Sequence, residues 1–149
     1  MPRIYRHRFT VPAAANDENG HVNNVVYVQW MQDVATLHSA AQGCTRDLYL
    51  RLNSNWVVRS HHVEYLRPAF AGDEIEALTW VSNFQRARSL RRYRFLRADD
   101  QTLLARAETD WVYVNSQTQR PRRVDPEVLR AFEPVAPEEE PPVTRAGPP

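Results

Sequence analysis

Most of the chemistry legible in this sequence lies in eight residues ahead of a long apolar stretch, Asp17-Glu18-Asn19-Gly20-His21-Val22-Asn23-Asn24. Asp17 is the type of group that takes a proton as a general base or attacks a carbonyl carbon directly. Asn23 and Asn24 suit a helix N-cap, and a helix start offers unpaired N–H groups with partial positive charge. Such amides can hold a carbonyl oxygen and stabilise the oxyanion formed when the carbon is attacked. Gly20 permits the turn that brings Asp17, seven residues before Asn24, back toward that point. Taken singly these are ordinary turn and capping residues. Their convergence before an apolar helix is what points to carbonyl chemistry.

Other chemistry-bearing residues are weaker candidates. His61 and His62 are adjacent in a strand-like stretch, so their rings point to opposite faces and cannot jointly hold one metal. No second compact His/Asp/Glu cluster accompanies them, and no metal site is expected. His61, beside Ser60, is a candidate for facing a substrate cleft, against the plainer role of a packed or solvated ring. His21 adjoins the turn glycine and can orient the loop or move a proton. Cys44 falls at the far end of the predicted helix and has no expected catalytic role. Arg86, Arg88, Arg91, Arg92 and Arg94 fall within nine positions. With no nucleic-acid motif present, nucleic acid is not an expected partner. A charged outer strand face is the plain alternative.

The elements that must position these groups follow from patterning. Ile4 to Val11 alternates and ends at Pro12, as a strand does. Ala13 to Asn23 forms a polar connection. Val26, Trp30, Val34 and Leu37, joined by Tyr27, Met31, His38 and Ala41, recur at helical spacing, with Gly43 as the stop. The apolar positions cover more than half the circumference, which predicts a helix wrapped by other structure. Strands are expected over Asn55–Arg67, Glu74–Phe84, Ser89–Ala98 and Thr102–Asn115, in hairpin-like succession. On the last, Ala105, Ala107, Thr109, Trp111 and Tyr113 share one face, and small residues there let a helix lie close. An antiparallel sheet covering a single helix is the economical assembly.

The chain has 149 residues, suited to one domain. The predicted domain spans 1–133, and the Pro- and Glu-rich stretch 134–149 is expected to be a disordered tail. One cysteine excludes an internal disulfide and fits a reducing compartment. No apolar run approaches the ~20 residues of a membrane helix, and the N-terminus lacks a signal-peptide core, so a soluble cytoplasmic protein is expected. Net charge is +1, which favours no particular class of charged partner. All 19 basic residues are arginine, so any phosphate site must be built from its planar fork.

The pattern Asp17-x-x-Gly20-His21-Val22-Asn23-Asn24-x-x-Tyr27, followed by Trp30, resembles the 4-hydroxybenzoyl-CoA thioesterase-like branch of the hot-dog superfamily. Val63-Glu64-Tyr65-Leu66-Arg67-Pro68-Ala69, Gly72-Asp73, and Leu104-Ala105-Arg106-Ala107 leading into Trp111-Val112 extend the resemblance over residues 4–132. It implies an α+β hot-dog fold, with a five-stranded antiparallel sheet wrapped around one long central helix. It also implies a homodimer joined edge to edge, or a tetramer of two dimers, with active sites at the dimer interface. The implied activity is hydrolysis of an acyl-CoA thioester with no cofactor beyond the CoA of the substrate. The family's catalytic acid falls on Asp17, and its carbonyl-polarising amide on Asn24 or Val25. Gly20, Asn23 and Tyr27 lie along the same motif, with Tyr27 and Trp30 lining the acyl end or packing beneath it. Arg86, Arg88, Ser89 and Arg91 fall on the strand and turn that help hold the CoA nucleotide, and Arg120-Pro121-Arg122-Arg123 is a second candidate clamp. This chain departs from many relatives in having Ala13-Ala14-Ala15-Asn16 where an acidic or aromatic cluster precedes the aspartate. What tunes Asp17 must then come from burial or from a partner subunit. Two other readings stay within the fold: a dehydratase or hydratase using His21, and a non-catalytic acyl-CoA binding module.

Overall fold

The structure, a computed structural model, describes residues 3–142. Strand β1 (Tyr5–Thr10) turns Tyr5, His7 and Phe9 inward and Arg6, Arg8 and Thr10 outward. The 18-residue helix α1 (Asn24–Ala41) follows, then a short helix α2 (Arg46–Leu52). Strands β2 (Ser54–Tyr65), β3 (Glu74–Gln85), β4 (Arg88–Arg97) and β5 (Leu103–Asn115) complete one sheet, followed by α3 (Pro126–Ala131) and one 3-10 turn at Pro137–Glu139. All pairings are antiparallel, in the order β1-β3-β4-β5-β2. This is the hot-dog fold expected from the resemblance.

The sheet curves around one face of α1. Tyr27, Trp30, Met31, Val34, Ala35 and His38 are buried there, at the i, i+3, i+4, i+7 spacing of an amphipathic helix. Phe95, Ala105, Ala107 and Tyr93 meet them from the sheet. The small residues on β5 leave room for Tyr27 and Trp30, whose rings pack edge-on at 4.9 Å. The helix is not enclosed by its own chain, contrary to the breadth of its apolar pattern. Val25 is 73% exposed and Leu37 39%, because one sheet covers one side only.

The expected succession of hairpins holds for β3-β4-β5 and fails at β2. That strand pairs with β5 at the sheet edge, so the β2–β3 connection crosses over two strands. Local patterning shows that a segment is a strand and not which neighbour it joins. The helices α2 and α3 are also additional to the expectation. Thr45 Oγ1 accepts the Leu48 N–H of α2 at 3.3 Å, and Pro126 occupies the first turn of α3. Both start signals are readable, but helices of seven and six residues barely register as periodic.

The boundary expected at residue 133 falls short of the packed chain. Phe132 is buried beside His38 on the inner side of the sheet. Strand β1 covers only Glu74–Thr79 of β3. At the uncovered part the Val135 N–H donates to Val81 O at 2.9 Å, and Val135 packs with Leu78, Trp80, Leu96 and Leu103 on the outer face. Glu140 then pairs with Arg92 at 2.7 Å and Arg94 at 3.3 Å. Proline-rich composition argues against a helix or strand here, yet an extended segment can still lie in an apolar groove. The remainder of the expected tail, 143–149, lies outside the described residues.

Candidate active site

The loop ahead of α1 is a pinned miniature hairpin. Asn16 and Val22 form an antiparallel bridge, and inside it the Asp17 N–H donates to His21 O at 2.8 Å. Gly20 N–H closes the turn on Asp17 O at 3.1 Å, with Gly20 at φ +83°, a backbone region that disfavours any side chain. Asn23 N–H to Ala15 O (2.9 Å), Val22 N–H to Ala69 O (2.8 Å) and Ala71 N–H to Asn16 Oδ1 (3.2 Å) tie the loop to its surroundings. The Asp17 carboxylate accepts the Asn19 N–H at 2.8 Å through Oδ1, and its Oδ2 lies 3.6 Å from His21 Nδ1.

Capping divides the amides of the first helical turn. Asn23 Oδ1 accepts the Val25 N–H and Asn23 O the Val26 N–H, both at 3.0 Å. Among the described residues no hydrogen bond uses the Asn24 N–H. Asn24 lines a cavity of about 190 Å³ together with His21, Tyr27, Tyr65, Arg67 and Pro68. Asp17 is not on that wall and reaches it through its contact with His21. Tyr65 donates its hydroxyl hydrogen to Asn24 O at 2.8 Å, fixing the helix start to the edge strand. Burial holds the Tyr27 and Tyr65 phenols above their ordinary value, so both stay neutral. Sequence patterning does not place Tyr65 and Arg67 at this cavity; the signal for them is the Val63–Ala69 stretch, in which β2 ends at Tyr65 and Pro68 lines the cavity.

Several other expected contacts lie elsewhere. His61 faces inward, with its Nδ1 hydrogen-bonded to Thr109 Oγ1 at 2.8 Å, while Ser60 pairs opposite Asp110 and lines a separate outer cavity with Arg88 and Asp110. The two neighbours therefore cannot share one cleft. Arg86 is exposed on the β3–β4 turn. Arg88 is ion-paired with Asp110. Ser89 is 5% exposed, its hydroxyl donating to Asn83 O at 3.0 Å. Arg91 is likewise 5% exposed and points into the core, so neither Ser89 nor Arg91 presents its polar head to a nucleotide in solvent. Arg122 holds Asp125 and Leu52 O, each at 2.9 Å, which leaves the second expected clamp with a structural role at that position. His62 is exposed on the outer face. Among the described residues no three His, Cys, Asp or Glu side chains converge as a metal site would need.

The arginine turn and the Asn24 cavity sit at opposite ends of the sheet. Arg88 pairs with Val112, whereas Phe95, which packs on Tyr27, pairs with Ala105. Seven residues of strand separate Arg88 from Phe95, roughly 23 Å at ~3.3 Å each.

Residues 11–132 match the family described as the thioesterase-like superfamily. No curated protein sequence matches the chain. Among solved structures, the chain is similar to a 1,4-dihydroxy-2-naphthoyl-CoA thioesterase from Synechocystis, at TM-score 0.80 and 16% identity, over 87% of this chain and 95% of that one. It is also similar to a DHNA-CoA thioesterase from Staphylococcus aureus, at TM-score 0.79 and 19% identity, over 86% and 87%. An acyl-ACP thioesterase from Bacteroides thetaiotaomicron gives TM-score 0.80 and 20% identity, over 94% of this chain and 58% of that longer one. At these identities the likeness is one of fold.

Proposed function

Because this chain belongs to the thioesterase-like superfamily, we propose that it hydrolyses an acyl-CoA thioester in the cytoplasm, in the manner of the 4-hydroxybenzoyl-CoA thioesterase-like branch, and needs no cofactor. The observation that carries the reading is the division of amides at the start of α1: capping leaves the Asn24 N–H, and Asn24 lines a cavity beside the Asp17–His21 pair. A thioester carbonyl accepting that N–H is polarised, and the helix N-terminus adds favourable potential for the oxyanion. Asp17 either removes a proton from water as the water oxygen bonds to the carbonyl carbon, or bonds to that carbon itself through an anhydride that water then cleaves. In both cases the C–S bond breaks, the thiolate takes the proton, and one water is consumed to give the free acid and CoA. His21 positions the Asp17 carboxylate from 3.6 Å. Tyr27 closes the cavity floor.

A second copy of the chain completes the site in this reading. Strand β2 is a 12-residue edge with Val58 and Tyr65 exposed, whereas the other edge, β1, is six residues long and carries Arg6 and Arg8 paired to Glu76 and Glu74. Short charged edges resist pairing and long ones invite it. Antiparallel joining of two β2 edges sets the Tyr65 end of one subunit beside the Trp56 end of the other. That brings the partner's arginine turn, with Arg86 and Arg88, toward the Asn24 cavity that it cannot reach within one protomer, as phosphate contacts for CoA.

Thiol release measured across short, long and aromatic acyl-CoAs tests the activity. Asp17→Asn is expected to lower kcat by at least a thousandfold while leaving the circular dichroism spectrum and melting temperature close to wild type; undiminished turnover would remove Asp17 from the mechanism. Hydration of crotonyl-CoA without thiol release would instead indicate a hydratase, and tight acyl-CoA binding with neither reaction a binding module.

A further inference from the structure

Strand β4 carries five arginines, Arg88, Arg91, Arg92, Arg94 and Arg97. Four are partly exposed and hold carboxylates: Arg88 with Asp110, Arg92 and Arg94 with Glu140, and Arg97 with Asp73. The fifth, Arg91, is the buried one, and among the described residues no carboxylate lies within ion-pair distance of it. Its Nη1 donates to His38 Nδ1 at 2.9 Å and to Thr79 Oγ1 at 3.1 Å, and its guanidinium stands 5.7 Å from the centre of the Phe132 ring. Arginine has no acceptor atom, so the His38 Nδ1 that receives this bond is unprotonated and His38 is neutral. A guanidinium keeps its charge under all ordinary conditions, and taking it out of water without a counter-ion costs several kcal/mol. Neutral partners and one aromatic face offset only part of that cost.

Space adjoins this cation. A cavity of about 40 Å³ is lined by Arg91, Phe84, Phe132, Trp56, Trp111 and Ser39. It shares Trp56, Trp111 and Ser39 as walls with a second cavity of about 370 Å³, whose other walls are Ala35, Ala40, Cys44 and Tyr49 together with the polar Thr36, Thr45, Arg46 and Asn55. The small chamber is the size of one or two water molecules, enough for a carboxylate head. The large one has a mainly apolar surface beside Trp56, Trp111 and Tyr49 and suits a hydrocarbon body. Both lie at the Trp56 end of the sheet, where a joined β2 edge would place the partner's Asn24 cavity.

We propose that Arg91 reads the far end of the acyl group, so that the preferred substrate is a thioester whose apolar acyl chain ends in a second carboxylate. This inference rests on the thioesterase reading for the word substrate, and on the geometry of Arg91 alone for the anion site. The chain lies along the Trp56–Trp111 chamber, and the distal carboxylate supplies the counter-ion that the protein does not. A chain of equal length ending in a methyl group leaves the guanidinium uncompensated.

Two measurements on the full chain test it. In the first, kcat/KM is compared for sebacoyl-CoA and decanoyl-CoA; the expected preference for the diacid thioester is roughly tenfold to a hundredfold, the range of one charge-assisted contact. Equal rates overturn the assignment and leave the thioesterase reading standing. In the second, decanoate and decan-1-ol are titrated while tryptophan fluorescence is followed. Decanoate is expected to bind at least tenfold tighter, with the difference abolished in Arg91→Gln and binding weakened in Ser39→Leu, which fills the shared wall and keeps Arg91. Indistinguishable binding of acid and alcohol to the wild-type protein overturns the anion site, whether or not Arg91→Gln folds. If decanoate binds through Arg91 while no CoA thioester is cleaved, the anion site stands and the hydrolase reading falls.

Discussion

Asn23 Oδ1 accepts the N–H of Val25 at 3.0 Å, and this contact separates the first amides of α1 into those committed to capping and the one at Asn24 that is not. Asn24 occupies the first helical position, directly after the cap. Proline is well tolerated there, and Asn23, at φ −63° and ψ 135°, already has the extended conformation that a following proline requires. Asn24→Pro therefore deletes a single N–H while keeping the helix. The expected result is a fall in kcat of about a hundredfold to a thousandfold with an unchanged melting temperature. A variant that melts normally and turns over normally would remove this amide from catalysis.

If a second copy supplies the arginine turn, as proposed, because roughly 23 Å of β4 separates Arg88 from Phe95 within one chain, activity follows the oligomeric state. Specific activity is expected to fall on dilution, in parallel with a decrease in sedimentation coefficient from dimer to monomer. Activity that persists in a monomeric sample would place all contacts within one protomer.

Val135 is fully buried against Leu78, Trp80 and Leu96, with Glu140 held by Arg92 and Arg94 beyond it. Deleting residues 134–149 uncovers that apolar face. Loss of the Val135 contact costs about 2 kcal/mol, and an exposed tryptophan-centred patch favours association. The truncated protein is expected to melt several degrees lower and to show increased light scattering. An unaltered melting curve would show that the segment contributes nothing to stability.

Burial lowers the pKa of His61 from its ordinary 6.5. The folded state then binds its proton less readily than the unfolded chain, so the unfolded chain carries more protons between the two pKa values. Stability contributed by neutral His61 is complete above about pH 6.5 and is lost as pH falls toward the folded pKa. Glu64 and Glu74, whose pKa values are lowered by Arg106 and Thr10, lose theirs only at more acidic pH. Melting temperature followed from neutral pH down to about pH 5 is expected to decline less in His61→Gln than in the wild type. Equal slopes would assign the decline to other groups.

What the sequence determined by itself was the content of α1 and of the five strands, and the nature of the loop. Helical spacing from Tyr27 to His38 and the alternation from Leu103 to Asn115 are local properties, set by side-chain period along one stretch of backbone. Asp17, Gly20 and Asn23 were legible for the same reason, since turn and cap chemistry depends on neighbours a few residues apart. Only the tertiary structure decided the rest. Placing β2 at the sheet edge beside β5 depends on contacts some fifty residues apart, and the burial of Arg91 depends on His38 and Phe132, 53 and 41 residues away, as well as on the nearer Thr79. In the sequence Arg91 is one more charge in an arginine-rich run; the alternation of β4 turns it inward while Arg92 and Arg94 turn outward, and burial changes its physical character. The division of the α1 amides likewise required coordinates, because an asparagine at a helix start caps one donor or another according to geometry that spacing alone does not set.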